Sequence, residues 1–105
     1  MEGPFLPVPV MPNAAIATGT VESISADPAR AGDAAICLNV RRTDRVADLP
    51  DFIHSEIGRS INVIVRQGQQ LDLRAGATIQ LTVRYEGDES GGGYYANASD
   101  YQLID

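Results

Sequence analysis

The chain has no lysine and no tryptophan, and it contains one cysteine and one histidine. A single cysteine, Cys37, excludes an intramolecular disulfide. With only His54 beside it, a structural zinc site lacks its ligand set, so we predict no metal site. No apolar run approaches the ~18 residues that a membrane-spanning helix needs, so we also predict no membrane span.

All eight basic residues are arginine, and fourteen acidic residues give a net charge of −6 at pH 7. Arginine without lysine is typical of a GC-rich genome, so it does not indicate a binding role. An acidic domain repels phosphate backbones at long range, which counts against general nucleic-acid binding. A local basic patch remains compatible with this balance.

The 105 residues, 44% of them hydrophobic, are enough for one domain with one core. Residues 1–13 are predicted to form a proline-rich N-terminal arm, and residues 14–105 a single β-barrel domain. The arm carries apolar residues between four prolines, has no basic n-region and does not resemble a signal peptide. Together with a free thiol, this favours a cytoplasmic location.

Most of the chain alternates between apolar and polar residues, which is typical of strands with one buried face. The predicted strands cover residues 15–25, 34–42, 60–67, 78–85 and 94–103. Gly19 indicates a bulge or bend in the first strand. The inward residues are predicted to be Ile36, Leu38 and Val40, then Ile61, Val63 and Val65, and then Ile79, Leu81 and Val83. The fold class is therefore all-β: a small five- to six-stranded antiparallel barrel or sandwich.

Residues 48–58 are the one candidate for a short α-helix. Asp48 can cap it, Pro50 suits its first turn, and Gly58 can end it. Phe52, Ile53 and Ile57 would form a narrow apolar stripe that plugs an open barrel end.

Five strands, short turns, a plugging helix and glycines at bends resemble an OB-fold. The resemblance covers residues 16–104 and depends most on 57–96, which include the turn LDLRAG (71–76). In the OB-fold the helix lies between the third and fourth strands, whereas here it is predicted after the second. This is a likeness to a superfold, and a superfold does not imply one function.

The polar faces of three strands carry arginines and amides that would share one surface if those strands adjoin. Guanidinium groups there could bind a carboxylate, a phosphate or an acidic partner peptide through paired hydrogen bonds. Tyrosines near the last hairpin add aromatic area. The candidate binding residues are Arg41, Asn62, Arg66, Gln80, Arg84, Tyr94 and Tyr95. The alternative interpretation is that the arginines are ordinary residues of a wet sheet face and that the tyrosines only pack.

Catalysis has little support. His54 has no evident partner, Cys37 has no basic neighbour in sequence, and the glycines at 91–93 lack the helix and lysine of a phosphate loop. We therefore predict no catalytic residues and no cofactor, although a small hydrolase or transferase remains a third alternative.

The predicted function is a non-enzymatic binding or assembly module that acts on a protein partner or on itself. The apolar arm and exposed strand edges favour a homo-oligomer. The alternative is an OB-type domain that binds single-stranded nucleic acid, with tyrosines stacking on bases.

Overall fold

The computed structural model describes residues 11–27, 29–88 and 91–104. Within them the chain forms six strands: β1 (Ala15–Ala26), β2 (Ala34–Arg45), β3 (Ser60–Arg66), β4 (Thr78–Asp88), β5 (Gly91–Asn97) and β6 (Gln102–Leu103). Single 3-10 turns occur at His54–Glu56, Gly68–Gln70 and Ala98–Asp100. Of the predicted arm, only residues 11–13 belong to the described part of the chain.

Five strands close into a barrel in the order β1-β2-β3-β5-β4-β1, and β6 continues along β4 as an extra strand. The fold is all-β and OB-like, as predicted. One detail of the prediction was wrong, because β3 and β5 run parallel while every other pair is antiparallel. Five strands around a closed ring cannot alternate in direction throughout, so one neighbouring pair must be parallel.

The barrel interior holds the side chains that the alternation predicted. All nine predicted inward residues of β2, β3 and β4 are buried, and Ala15, Ala17 and Val21 of β1 join them. Burial of such a continuous apolar set is the main source of stability in a domain of this size.

Gly19 lies at the predicted irregularity of the first strand. The register of β1 against β2 shifts between Thr18 and Gly19, and again between Val21 and Ser23. A Cβ atom on Gly19 would overlap the carbonyl oxygen of Asn39 on β2. Here β1 and β2 approach each other too closely for any side chain.

The predicted helix at 48–58 was wrong. The segment contains only the 3-10 turn His54–Glu56. Ile53 is buried and closes the end of the barrel at the β2–β3 connection, while Phe52 and Ile57 stay exposed. Helix formation is overridden by pairing with β2: Gly58 donates to the carbonyl of Val40 at 2.8 Å, so the chain after the turn must extend along that strand.

The connection from β3 to β4 covers the opposite end of the barrel. Leu71 and Leu73 are partly buried and pack against the core. The buried Asp33 ties this connection to the β1–β2 turn, since its carboxylate accepts a hydrogen bond from the Gln67 amide at 2.9 Å.

The last predicted strand, 94–103, is divided in two. It leaves the sheet at the 3-10 turn Ala98–Asp100 and returns as β6, where Gln102 pairs with Gln80. Ser99 and Asp100 favour turns, which compete with strand pairing. The alternation of apolar and polar residues does not reveal this preference.

In the described ranges, no helix has the length and apolar character needed to cross a membrane.

Candidate functional site

Three of the predicted binding residues meet on the outer surface of the barrel. Strand β5 lies between β3 and β4, so Tyr95 has Arg84 of β4 on one side and Ile64 of β3 on the other. Arg66 follows two residues after Ile64, on the same outer face. We call Arg66, Arg84 and Tyr95 the arginine face.

The guanidinium of Arg66 is held in place from two directions. Its Nη1 and Nη2 donate to the carboxylate of Glu86 at 3.1 and 2.7 Å, and its Cζ lies 4.7 Å from the centroid of the Tyr95 ring. Paired hydrogen bonds and stacking on an aromatic ring both favour one orientation of an arginine side chain. Arg66 therefore crosses β5 in a fixed position.

The ion pair also shifts the titration of both partners. Hydrogen bonding to Glu86 raises the pKa of Arg66. Hydrogen bonds from Arg66 lower the pKa of Glu86, and the positive charges of Arg66, Arg84 and Arg30 act in the same direction. The side chains are 34% and 37% exposed, so water screens this pair only in part.

We expect the Arg66–Glu86 pair to make stability depend on pH. A carboxylate whose pKa is lowered by folding stabilises the folded state above its unfolded pKa, and the contribution is lost as pH falls through the folded value. Glu86→Gln should therefore lower the free energy of unfolding at pH 7, by up to about 1 kcal/mol. Well below the ordinary glutamate pKa of 4.5, this difference from the wild type should vanish.

Chemical denaturation at neutral and acidic pH measures this difference. Asp72→Asn serves as the control, since Asp72 and its partner Arg74 are 80% and 76% exposed and their pairing is worth little. A deficit in Glu86→Gln that is the same at both pH values would contradict the role assigned to the ion pair.

The other predicted binding residues lie elsewhere. Asn62 is on β3, four positions before Arg66 and paired with Cys37 of β2. Arg41 reaches Thr20 across the β1–β2 pair at 3.5 Å, and Gln80 donates to a threonine across the β1–β4 pair. Asn62 and Gln80 are thus separated from Arg66 and Arg84 along their own strands, by four residues or ~13 Å in each case, whereas Arg41 lies on a different strand, β2.

Tyr94 has its ring on the inner side of the sheet. It packs against the core and meets the Tyr85 ring edge-to-face, with centroids 5.5 Å apart and planes at 72°. Partial burial raises the pKa of its hydroxyl. Of the two adjacent tyrosines, only Tyr95 belongs to the arginine face.

Glu86 is the residue of this site that the sequence analysis missed. The alternation of β4 places Arg84 on the polar face, and the same alternation continued by two residues places Glu86 there as well. The strand extends to Asp88, past the predicted end at Tyr85, because β5 pairs with it that far.

A cavity of about 550 Å³ borders Arg84. One wall is the stretch of β4 from Arg84 to Gly87, and the other is formed by Met11–Ala14 and Leu49. Asn13 fixes the two walls together: its side-chain amide accepts from the Tyr85 N–H at 2.7 Å and donates to the Tyr85 carbonyl at 2.9 Å. The cavity thus joins a cationic edge to an apolar wall.

Cys37 and His54, for which the sequence predicted no catalytic role, lie apart from this face. The Cys37 thiol is half-buried and donates to Glu22 Oε1 at 3.3 Å, an interaction that raises the pKa of Cys37 and disfavours the thiolate. His54 is exposed, with Nδ1 3.2 Å from Thr43 Oγ1. Among the residues that the structure describes, no group of three or more His, Cys, Asp or Glu side chains could hold a metal ion.

Comparison of the chain with protein-family models, with curated proteins and with solved structures gave no match.

Proposed function

We propose that the protein is a non-catalytic binding module that takes a single carboxylate of a protein partner at the arginine face. The observation that carries this proposal is the position of Arg84, which borders the cavity and pairs across the sheet with Tyr95, while Glu86 holds the neighbouring Arg66 guanidinium.

The charges of the site suit one carboxylate. Glu86 balances one of the two guanidiniums, which leaves one positive charge for a ligand. In the described part of the chain, no carboxylate lies within ion-pair distance of Arg84. Arginine binds a carboxylate through two parallel hydrogen bonds, so Arg84 can hold an Asp, a Glu or a chain terminus of a partner.

The overall charge favours a single carboxylate over a polyanion. At −6, the molecule repels extended negative chains before they reach the face. The apolar wall next to Arg84, formed by Leu49, Met11 and Pro12, supplies contact area for the residues that flank the bound carboxylate. A protein segment with one acidic residue among apolar ones fits both features.

The second candidate is an OB-type domain for single-stranded nucleic acid. It is favoured by the position of Tyr95 between two arginines on the outside of an OB-like barrel, an arrangement that could stack bases and contact phosphates. Against it, the Arg66 guanidinium already covers one face of the Tyr95 ring and is neutralised by its ion pair with Glu86.

The proposal is tested by NMR titration of the labelled protein with acetate, which serves as the carboxylate probe, against chloride at equal ionic strength. We expect millimolar binding that shifts the Arg84 side-chain Nε–H and the Tyr95 amide. The shifts should disappear in Arg84→Ala and persist in Arg74→Ala, which removes an exposed arginine from the β3–β4 connection. Acetate shifts that survive Arg84→Ala would overturn the proposed site.

A labelled oligothymidine strand decides between the two candidates. We expect no binding at physiological salt. Tight, salt-dependent binding that the double variant Arg66→Ala/Arg84→Ala abolishes would make nucleic acid the ligand of this face instead.

A further inference from the structure

A second depression lies at the opposite end of the barrel from the cavity at Arg84. It has a volume of about 340 Å³ and runs between the end of β1 and the β3–β4 connection. Within residues 11–27, 29–88 and 91–104, its lining is uncharged and consists of Ile24, Ser25, Ala26, Ala34, Gly68, Gln69, Leu71 and Leu73. We call this depression the β1 groove.

The β1 groove runs beside an open strand edge. Strand β1 pairs with β4 only from Ala15 to Thr20, and the Val21 backbone then bonds to Gly76 and Ala77. From Ser23 to Ala26, β1 pairs with β2 alone among the described strands. An apolar groove beside an unpaired strand edge is where extended segments dock.

The sequence contains an uncharged, apolar segment of suitable length, FLPVPV at residues 5–10. Its two prolines favour an extended backbone of the polyproline kind. Such a backbone loses little conformational entropy when it settles into a groove.

Residues 5–10 join the barrel at the end opposite to the β1 groove. Met11–Ala14 lie beside Arg84–Gly87, where Asn13 is bonded to Tyr85. The β1 groove lies beyond the other end of β4, where Ala77 precedes Thr78.

The length of the chain excludes a fold-back. From Ala15 to Ile24, β1 extends about 30 Å at ~3.3 Å per residue. Measured from Asn13 at no more than ~3.5 Å per residue, Val10 reaches about 10 Å and Phe5 about 28 Å. The segment therefore cannot lie along the β1 groove of its own copy.

We propose that the β1 groove binds residues 5–10 of a second copy of the chain, so that two copies exchange arms. The exchange gives a closed pair, because each copy supplies one arm and one groove. It also brings together two molecules of charge −6 through segments that carry no charge, so the contact itself adds no repulsion. The arginine face takes no part in it.

Multi-angle light scattering and disulfide trapping test this exchange. The full chain should be a dimer at micromolar concentration. Deletion of residues 1–10, or Ile24→Asp in the groove, should give a monomer with unchanged circular dichroism. Ile57→Asp is the matched control, because Ile57 is exposed to 40% against 37% for Ile24 but lies in the β2–β3 connection. It should remain a dimer, and so should Arg84→Ala.

Trapping distinguishes exchange from a fold-back. In a Cys37→Ala background, a Val8→Cys chain mixed with an Ile24→Cys chain should oxidise to a covalent dimer. A full chain that stays monomeric at high micromolar concentration would overturn the proposal. So would a dimer that survives both the arm deletion and Ile24→Asp, or a disulfide that forms only within one chain carrying both cysteines.

Discussion

Leu81→Ala should lower the free energy of unfolding by about 2–5 kcal/mol, a large share of the stability of a domain of this size. Leu81 is fully buried at the middle of β4, where it pairs with Ala17 of β1 and lies between Ile79 and Val83 along the strand. Truncation leaves a cavity that these small or β-branched neighbours cannot fill, because their side chains are already confined by the barrel.

Thr82→Ala is the control for this change. Thr82 is the next residue of β4 and faces outward, so its truncation should change the free energy of unfolding by no more than about 0.5 kcal/mol. Denaturant titration of both variants measures the difference. A larger loss in Thr82→Ala than in Leu81→Ala would mean that β4 has the opposite register, and the arginine face would then point inward.

Gly19→Ala should lower the free energy of unfolding by about 1–3 kcal/mol, although it adds a single methyl group. That methyl would overlap the backbone carbonyl of Asn39, and a backbone atom cannot move aside as the end of a flexible side chain can. The β1–β2 pair would have to separate at its bulge.

Gly93→Ala is the matched glycine substitution. A Cβ at Gly93 on β5 would meet only ring atoms of Tyr95, at 3.6 Å or more, which is an ordinary contact. Its effect should stay within about 0.5 kcal/mol. Equal losses in thermal or chemical unfolding for the two variants would show that close approach of the strands at Gly19 is not what requires a glycine there.

Alternation predicted the core of this molecule because a strand with one buried face has a period of two, and three of the strands follow it strictly. The helix prediction at 48–58 was wrong because it depended on local signals alone. Asp48, Pro50 and Gly58 are good helix signals, but Gly58 and Arg59 instead bond to Val40 of β2, a contact that no local pattern can reveal.

The candidate site was predictable only in part. Alternation placed Arg66, Arg84 and Tyr95 on polar faces, but their meeting depends on β5 lying between β3 and β4, which is a matter of strand order. Strand order also separates Arg41, which lies on β2, from this face, whereas Gln80 lies on β4 itself, four residues before Arg84. Glu86 was missed because β4 continues beyond its last apolar residue, where pairing with β5 replaces burial as the reason for extended structure.

The pairing of β1 with β4 has a consequence for how the chain folds. Ala17 of β1 pairs with Leu81 of β4, so the contact that closes the ring joins two residues that are far apart in the sequence. Contacts between residues so distant in sequence form slowly, because the loop entropy must be lost before the pairing is gained. Formation of the β1–β4 pair should therefore limit the refolding rate. Amide hydrogen exchange along β1 and β4 would then report the opening of the ring.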